Sequence, residues 1–247
     1  YSHDEMVPGE GAAQTFIDEQ YEIRSEIVAA AFGPFSTSAL GVQVQNRDFR
    51  ALGEAEEFLQ PTTTGSIGVY AFADAPLGDW ATLELGARYE STEVEGTPAS
   101  DVFTRREFEP ASATAGLVIK ASDDLTFGLS AFHAQRAPNQ VELYARGPHE
   151  ATGTFEIGDP TLGLEKALNL EANVRLTLPR VTAELTVFRT DFEGFIYGQL
   201  TGALLDEDGT PSPAGAFEEL FFVARDATFA GGEFEAAILL STFDACE

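Results

Sequence analysis

Three histidines, His3, His133 and His149, and 41 acidic residues are the side chains in this chain most able to bind a metal ion or move a proton. Imidazole nitrogen and carboxylate oxygen are both ligands that zinc accepts. No G-x-S-x-G, H-E-x-x-H, P-loop or C-x-x-C occurs, so nucleophilic, metalloprotease, phosphoryl and redox chemistries lack their local signatures. Glycoside hydrolysis needs only two carboxylates about 5–9.5 Å apart, but the single Trp80 leaves little aromatic surface for stacking sugars. Asp206-Glu207-Asp208-Gly209 begins like a calcium loop and lacks the later bidentate Glu, so a solvated turn is expected there. These residues point away from an enzyme.

Bulk charge narrows the partners. A formal charge of −27, with only Lys120 and Lys166 as lysines, excludes nucleic acid, whose phosphates need clustered basic side chains. The acidic surface either attracts cations or serves as a solvated, repulsive exterior. The lone Cys246 has no internal partner for a disulfide. The longest apolar runs, residues 27–32 and 236–240, fall far short of the ~20 residues a membrane helix requires. Tyr1 begins within a patterned segment, and an export signal is expected on sequence outside this chain.

The elements that must position any site are strands, because wherever the hydrophobic pattern is clear its period is two. Residues 82–93 are the cleanest case, with Leu83, Leu85, Ala87 and Tyr89 on one face and Glu84, Gly86, Arg88 and Glu90 on the other. Similar alternation marks 14–30, 35–49, 66–75, 111–120, 125–135, 168–178, 181–198 and 219–240, and no segment has a helical period. Tight turns at 33–34, 76–79, 122–124 and 179–180 alternate with long connections at 53–64, 96–108, 136–165 and 205–216. Counting a stub at residues 1–5, about ten strands result.

Periodicity alone fits either a soluble sandwich or a membrane barrel. Three features favour the barrel: alternating short and long connections, strands longer than the usual five or six residues, and aromatics near strand ends. Trp80, Tyr89, Tyr144 and Tyr197 fit interfacial girdles on this reading. His133, between Phe132 and Ala134 within a strand, is expected to be packed or to line the lumen.

The long loop and its flanks carry a more specific signal: R-A-P-N-x-x-E-L-Y-A-x-G-P-H-x-A-T from Arg136, then F-E-x-G-x-P-x-L-x-x-E from Phe155. Together with Y-x-H-x-E at Tyr1, His3 and Glu5, GEGAAQTF, YEIRSE at Tyr21, GVQ at Gly41, F-x-A-x-G-E-A at Phe49 and GAR at Gly86, this resembles TonB-dependent outer-membrane receptors, particularly the zinc-uptake branch. The resemblance runs in order over most of the chain. It implies an all-β fold, residues 1–247 forming part of an antiparallel up-and-down transmembrane barrel. Such barrels close with about 22 strands around a plug, so the plug is expected on other sequence and this chain is expected to be an internal piece.

The implied function is active transport across the bacterial outer membrane: a metal ion or metal complex, zinc preferred, is captured outside and passed to the periplasm. Energy would come from a TonB-type inner-membrane complex acting through the plug. The runner-up is a siderophore or haem receptor of the same family; from another class, a soluble β-sandwich binding or hydrolytic module. By resemblance Glu5 and His149 are the first metal ligands and His3 a third, with zinc as cargo and no tightly bound cofactor. Further ligands would come from the plug, although three histidines are fewer than zinc-linked relatives tend to carry. The alternative is that His149 makes ordinary loop hydrogen bonds and His3-Asp4-Glu5 is a solvated strand end.

Overall fold

The computed structural model describes residues 2–7, 11–53 and 55–240, with the side chains of 3–7 and 11–14 excepted. Alternation becomes strand wherever it is clear: β1 (Ser2–Val7), β2 (Gly11–Phe32), β3 (Phe35–Gly53), β4 (Thr62–Pro76) and β5 (Ala81–Gly96). These are followed by β6 (Thr104–Phe108), β7 (Ala111–Lys120), β8 (Leu125–Arg136), β9 (Arg146–His149) and β10 (Thr154–Ile157). Three long strands finish the described chain: β11 (Glu165–Leu178), β12 (Val181–Leu205) and β13 (Phe217–Ile238). All lie in one sheet, ordered β1-β2-β3-β4-β5-β7-β8-β11-β12-β13-β10-β9, with β6 on the outer half of β5. β6 and β7 pair successive stretches of β5, so they act as one long strand interrupted at Pro110, which has no N–H for the ladder. Setting the β9–β10 hairpin apart, ten long antiparallel segments remain, as the sequence pattern predicts.

Among the described residues no second sheet covers either face. Leu170, Leu185 and Leu85 are 55%, 44% and 37% exposed, and Leu83 beside them is only half-buried, so none of the four is tucked under another layer. The apolar face runs from Ile23, Ile27, Val42 and Val69 through Leu117 and Leu129 to Val187. In water such a surface would be a severe aggregation liability; against acyl chains it is the expected exterior of a barrel. Toward the long-loop end this same face changes to ion pairs, Arg50–Glu19, Lys166–Glu193 and Arg189–Asp191, each at 2.8 Å, together with Arg105–Glu93. That change of chemistry marks where hydrocarbon gives way to the polar interface. Among the described residues no helix is long and apolar enough to cross a membrane.

The opposite face is polar. Arg47 grips Asp18 through two bonds of 2.8 and 2.9 Å, Arg88 donates to Gln43 at 3.0 Å, and Arg175 pairs with Glu184. Aromatics interrupt it on β12 and β13, where Phe192, Phe195, Tyr197 and Phe229 form a ring cluster with centroids 5.1–6.2 Å apart. Its geometry comes from a bulge at Gly194, whose φ of +68° is one that side-chain-bearing residues rarely adopt.

Among the described residues two short helices exist, α1 (Ala55–Phe58) and α2 (Gln140–Tyr144), each a single turn with no room for a helical period, so the period-two reading stands. Three expectations are corrected. Tyr144 is not in an interfacial girdle but wholly buried, and Tyr197 stacks on Phe195, whereas Trp80 and Tyr89 are exposed as expected. The 96–108 connection contains strand β6, and the 136–165 connection contains the β9–β10 hairpin. His133 is neither packed nor lumen-lining: it is exposed on the apolar face, opposite Leu168, with Nε2 3.0 Å from the Gln135 amide nitrogen.

Candidate functional site

The buried core lies at the long-loop end, between the loops and the outer part of the polar face. Phe16, Ala51, Val94 and Phe108 project from β2, β3, β5 and β6 against Ala55, Phe58 and Leu59 around α1 and Leu143, Tyr144 and Ala145 around α2. Side chains that face a water-filled bore elsewhere on these strands are here covered by their own loops.

α2 is defined by a local motif. Pro138 keeps the preceding backbone extended, and the Asn139 side chain then accepts from the Val141 and Glu142 N–H groups, while Glu142 accepts from the Asn139 N–H. This is a capping box, which satisfies helix donors that a one-turn helix would otherwise leave open. Arg136 fixes the loop's root, forking to Glu142 at 2.8 and 3.0 Å and to Glu165 at 2.9 and 3.0 Å, so that it joins the exit of β8 to the start of β11. Glu165 in turn accepts the Ile196 N–H at 2.8 Å. Tyr144 donates its hydroxyl to the Val94 carbonyl at 2.8 Å, and burial pushes its pKa up to about 12. Arg106 donates to the Pro160 and Leu162 carbonyls, and Arg146 bonds to the Pro98 carbonyl and Asp101.

His149 ends β9 within this assembly. Its ring lies against Phe58, with centroids 4.5 Å apart and planes 26° apart, and meets Phe16 edge-on at 6.1 Å. Its Nδ1 is 2.8 Å from Oε1 of Glu156, a carboxylate 6% exposed that also accepts the Thr154 hydroxyl at 3.0 Å. The hairpin register explains the contact, since Thr154 faces His149 directly and Glu156 lies two residues along on the same face. Gly147, opposite Glu156, lets α1 approach; a Cβ there would collide with the Glu57 carbonyl.

The side chains of His3 and Glu5 lie outside the described residues, but their backbone is in β1. Register sets His3 opposite Phe16 and Glu5 opposite Gln14, so β1 brings both positions to the strand end that holds Phe16 and, through it, His149. Among the described residues no group of three metal-ligating side chains converges. Asp206–Gly209 forms a turn, closed by the Gly209 N–H donating to the Asp206 carbonyl at 2.9 Å. There the Thr210 hydroxyl and N–H hold the Asp208 carboxyl below the usual carboxylate range. Glu156 stands in the sequence only as the Glu of F-E-x-G-x-P, with no site role attached, and the alternation in Thr154-Phe155-Glu156-Ile157 is a further signal for it; nothing local marks Phe58.

The chain is similar to solved outer-membrane receptors over nearly its whole length. It superposes on the copper transporter OprC with a TM-score of 0.70 at 16% identity, covering 95% of this chain and 37% of that one. It is similar also to a ferric enterobactin receptor mutant from Pseudomonas aeruginosa in complex with enterobactin, with a TM-score of 0.67 at 16% identity, covering 92% and 34%. The hemophore receptor HasR of Serratia marcescens, solved with its hemophore HasA and heme, matches with a TM-score of 0.64 at 14% identity, covering 90% and 39%. The chain thus spans little more than a third of the length of these proteins, and at such identities they share the fold. The family model described as TonB dependent receptor-like, beta-barrel, matches residues 11–243. A single lipid-compatible sheet, loops folded over its polar face and this match together establish that the chain belongs to the TonB-dependent receptor β-barrel family of the bacterial outer membrane.

Proposed function

We propose that the protein is an active-transport receptor that captures a metal ion or metal complex at the long-loop end, zinc being the preferred cargo. A plug and a TonB-type inner-membrane complex would supply the gate and the energy. The observation that carries the zinc reading is His149. Its imidazole is held by Glu156 and Phe58, on a surface where the β1 register brings the positions of His3 and Glu5. Glu5, His149 and His3 are the proposed ligands. An importer needs fewer protein ligands than a closed structural site, because the ion must leave again. In the full-length protein, Glu5→Ala combined with His149→Ala should weaken zinc binding measured by calorimetry and slow growth under zinc limitation. Unchanged zinc affinity would remove the zinc reading and leave the barrel as it is.

A second reading, a siderophore or haem receptor, is favoured by one feature: the Phe192, Phe195, Tyr197 and Phe229 cluster on the otherwise polar face. Flat aromatic chelates stack on such surfaces. The same calorimetry with a ferric catecholate or haem in place of zinc separates the two.

A further inference from the structure

The lipid-facing side of the sheet holds an open recess. Register lines up Ala115, Ala131, Leu170 and Arg189 in one row across β7, β8, β11 and β12. The row beneath it is Leu117, Leu129, Ala172 and Val187. Short alanine side chains between leucines leave a trough of roughly 650 Å³ that runs from Leu83 on β5 to Arg189 on β12. The row above it, toward the long-loop end, sets His133 opposite Leu168 and Leu168 opposite Asp191.

The donors around that upper row can be counted. Gln135 Oε1 accepts the Ala111 N–H at 3.1 Å, which fixes the amide, so Gln135 Nε2 donates to His133 Nε2 at 3.0 Å. A neutral ring then carries its hydrogen on Nδ1, which has no partner among the described residues. Arg189 gives Nε and Nη2 to Asp191 at 2.9 and 2.8 Å, leaving Nη1 uncommitted on a side chain 61% exposed. Lys166 gives one ammonium hydrogen to Glu193 at 2.8 Å and keeps the others. Each carboxylate is neutralised by its own cation, and the open N–H groups are what the patch offers beyond those pairs.

We propose that the trough and these donors bind one phosphorylated lipid of the outer leaflet: an acyl chain lies over Ala115 and Ala131, and Arg189 Nη1 and His133 Nδ1 hold the headgroup phosphate, with Lys166 beside them. Two observations select this occupant. The trough is continuous with the hydrocarbon-facing surface, and its charged end falls where that surface gives way to the polar interface. Guanidinium, ammonium and imidazole N–H groups above an apolar floor match a phosphate with a chain attached. The site lies on the other face of the sheet from the proposed cargo ligands and is independent of them.

The test uses the full-length protein in detergent, titrated with phosphorylated lipid A and with the same lipid dephosphorylated, bound lipid being counted by native mass spectrometry. Wild type should retain one phosphorylated molecule in preference to the dephosphorylated one. Arg189→Gln combined with His133→Phe should lower that retention about ten-fold, the loss expected for a charge-assisted hydrogen bond, and remove the preference. Ala131→Leu fills the trough floor and should weaken both lipids alike. Equal retention of the two lipids by wild type, or unchanged retention in the double variant, overturns the phosphate contact. Unchanged retention in Ala131→Leu overturns the seat for the chain.

Discussion

His149 lies flat against Phe58, ring centroids 4.5 Å apart, so a histidine from the longest connection is seated on a helix from a different loop, more than ninety residues earlier in the chain. Phe58 is 2% exposed and touches Phe16 edge-on as well. Phe58→Ala should therefore cost about 3–5 kcal/mol locally, the usual loss for a buried aromatic. Hydrogen exchange of residues 146–157 should accelerate, while β4, β5 and β8 keep their protection. Unchanged exchange in the hairpin would mean that its strand pairing alone holds it.

Tyr144 gives the loop cluster an alkaline limit. Its pKa is raised from 10.0 to about 12 by burial, so the folded state binds the phenol proton more tightly than the unfolded state. The contribution is complete below pH 10 and is lost as pH rises toward about 12. Proteolytic nicking within 137–164 should increase across that window. Tyr144→Phe should abolish the slope and, by losing the bond to the Val94 carbonyl, cost about 1 kcal/mol at neutral pH. A nicking profile identical in the two proteins would refute the assignment.

The two faces of the sheet should respond oppositely to the same charge. Leu129 is exposed on the apolar face between Leu117 and Ala172. Leu129→Arg should destabilise the inserted barrel by about 2–4 kcal/mol, the cost of an arginine near the bilayer midplane. Its neighbour Ser130 faces the other way, opposite Glu171, and Ser130→Arg should be tolerated. Heat-modifiability on a gel and yield in outer-membrane preparations report both. Equal effects would show that the faces have been assigned wrongly.

Much of the fold is written in local alternation, because a strand with one face in lipid and one in a polar bore has to separate its side chains by parity. Residues 82–93 show this without help from any other part of the chain. The loop end is different in kind. Tyr144 reads like a girdle aromatic and is instead a core residue, since what buries it comes from β4 and β5 rather than from its neighbours in sequence. His133 sits beside a phenylalanine and an alanine, yet parity sends it to the outer face near the charged belt. His149 was visible as a candidate through its motif. Glu156 lies in the neighbouring F-E-x-G-x-P motif, but its partnership with His149 was not legible, because the bond between them exists only once a hairpin register has been fixed.

β10 runs parallel to the first turn-proximal residues of β13, pairing Thr154–Ile157 with Glu218–Phe221, while β9 behind it rests on α1. The hairpin is thus a tie-bar between the wall built from β2 and β3 and the wall built from β12 and β13. Its two ends are mechanically linked: releasing the aromatic seat strains the parallel ladder, and unzipping the ladder tilts His149 off its ring.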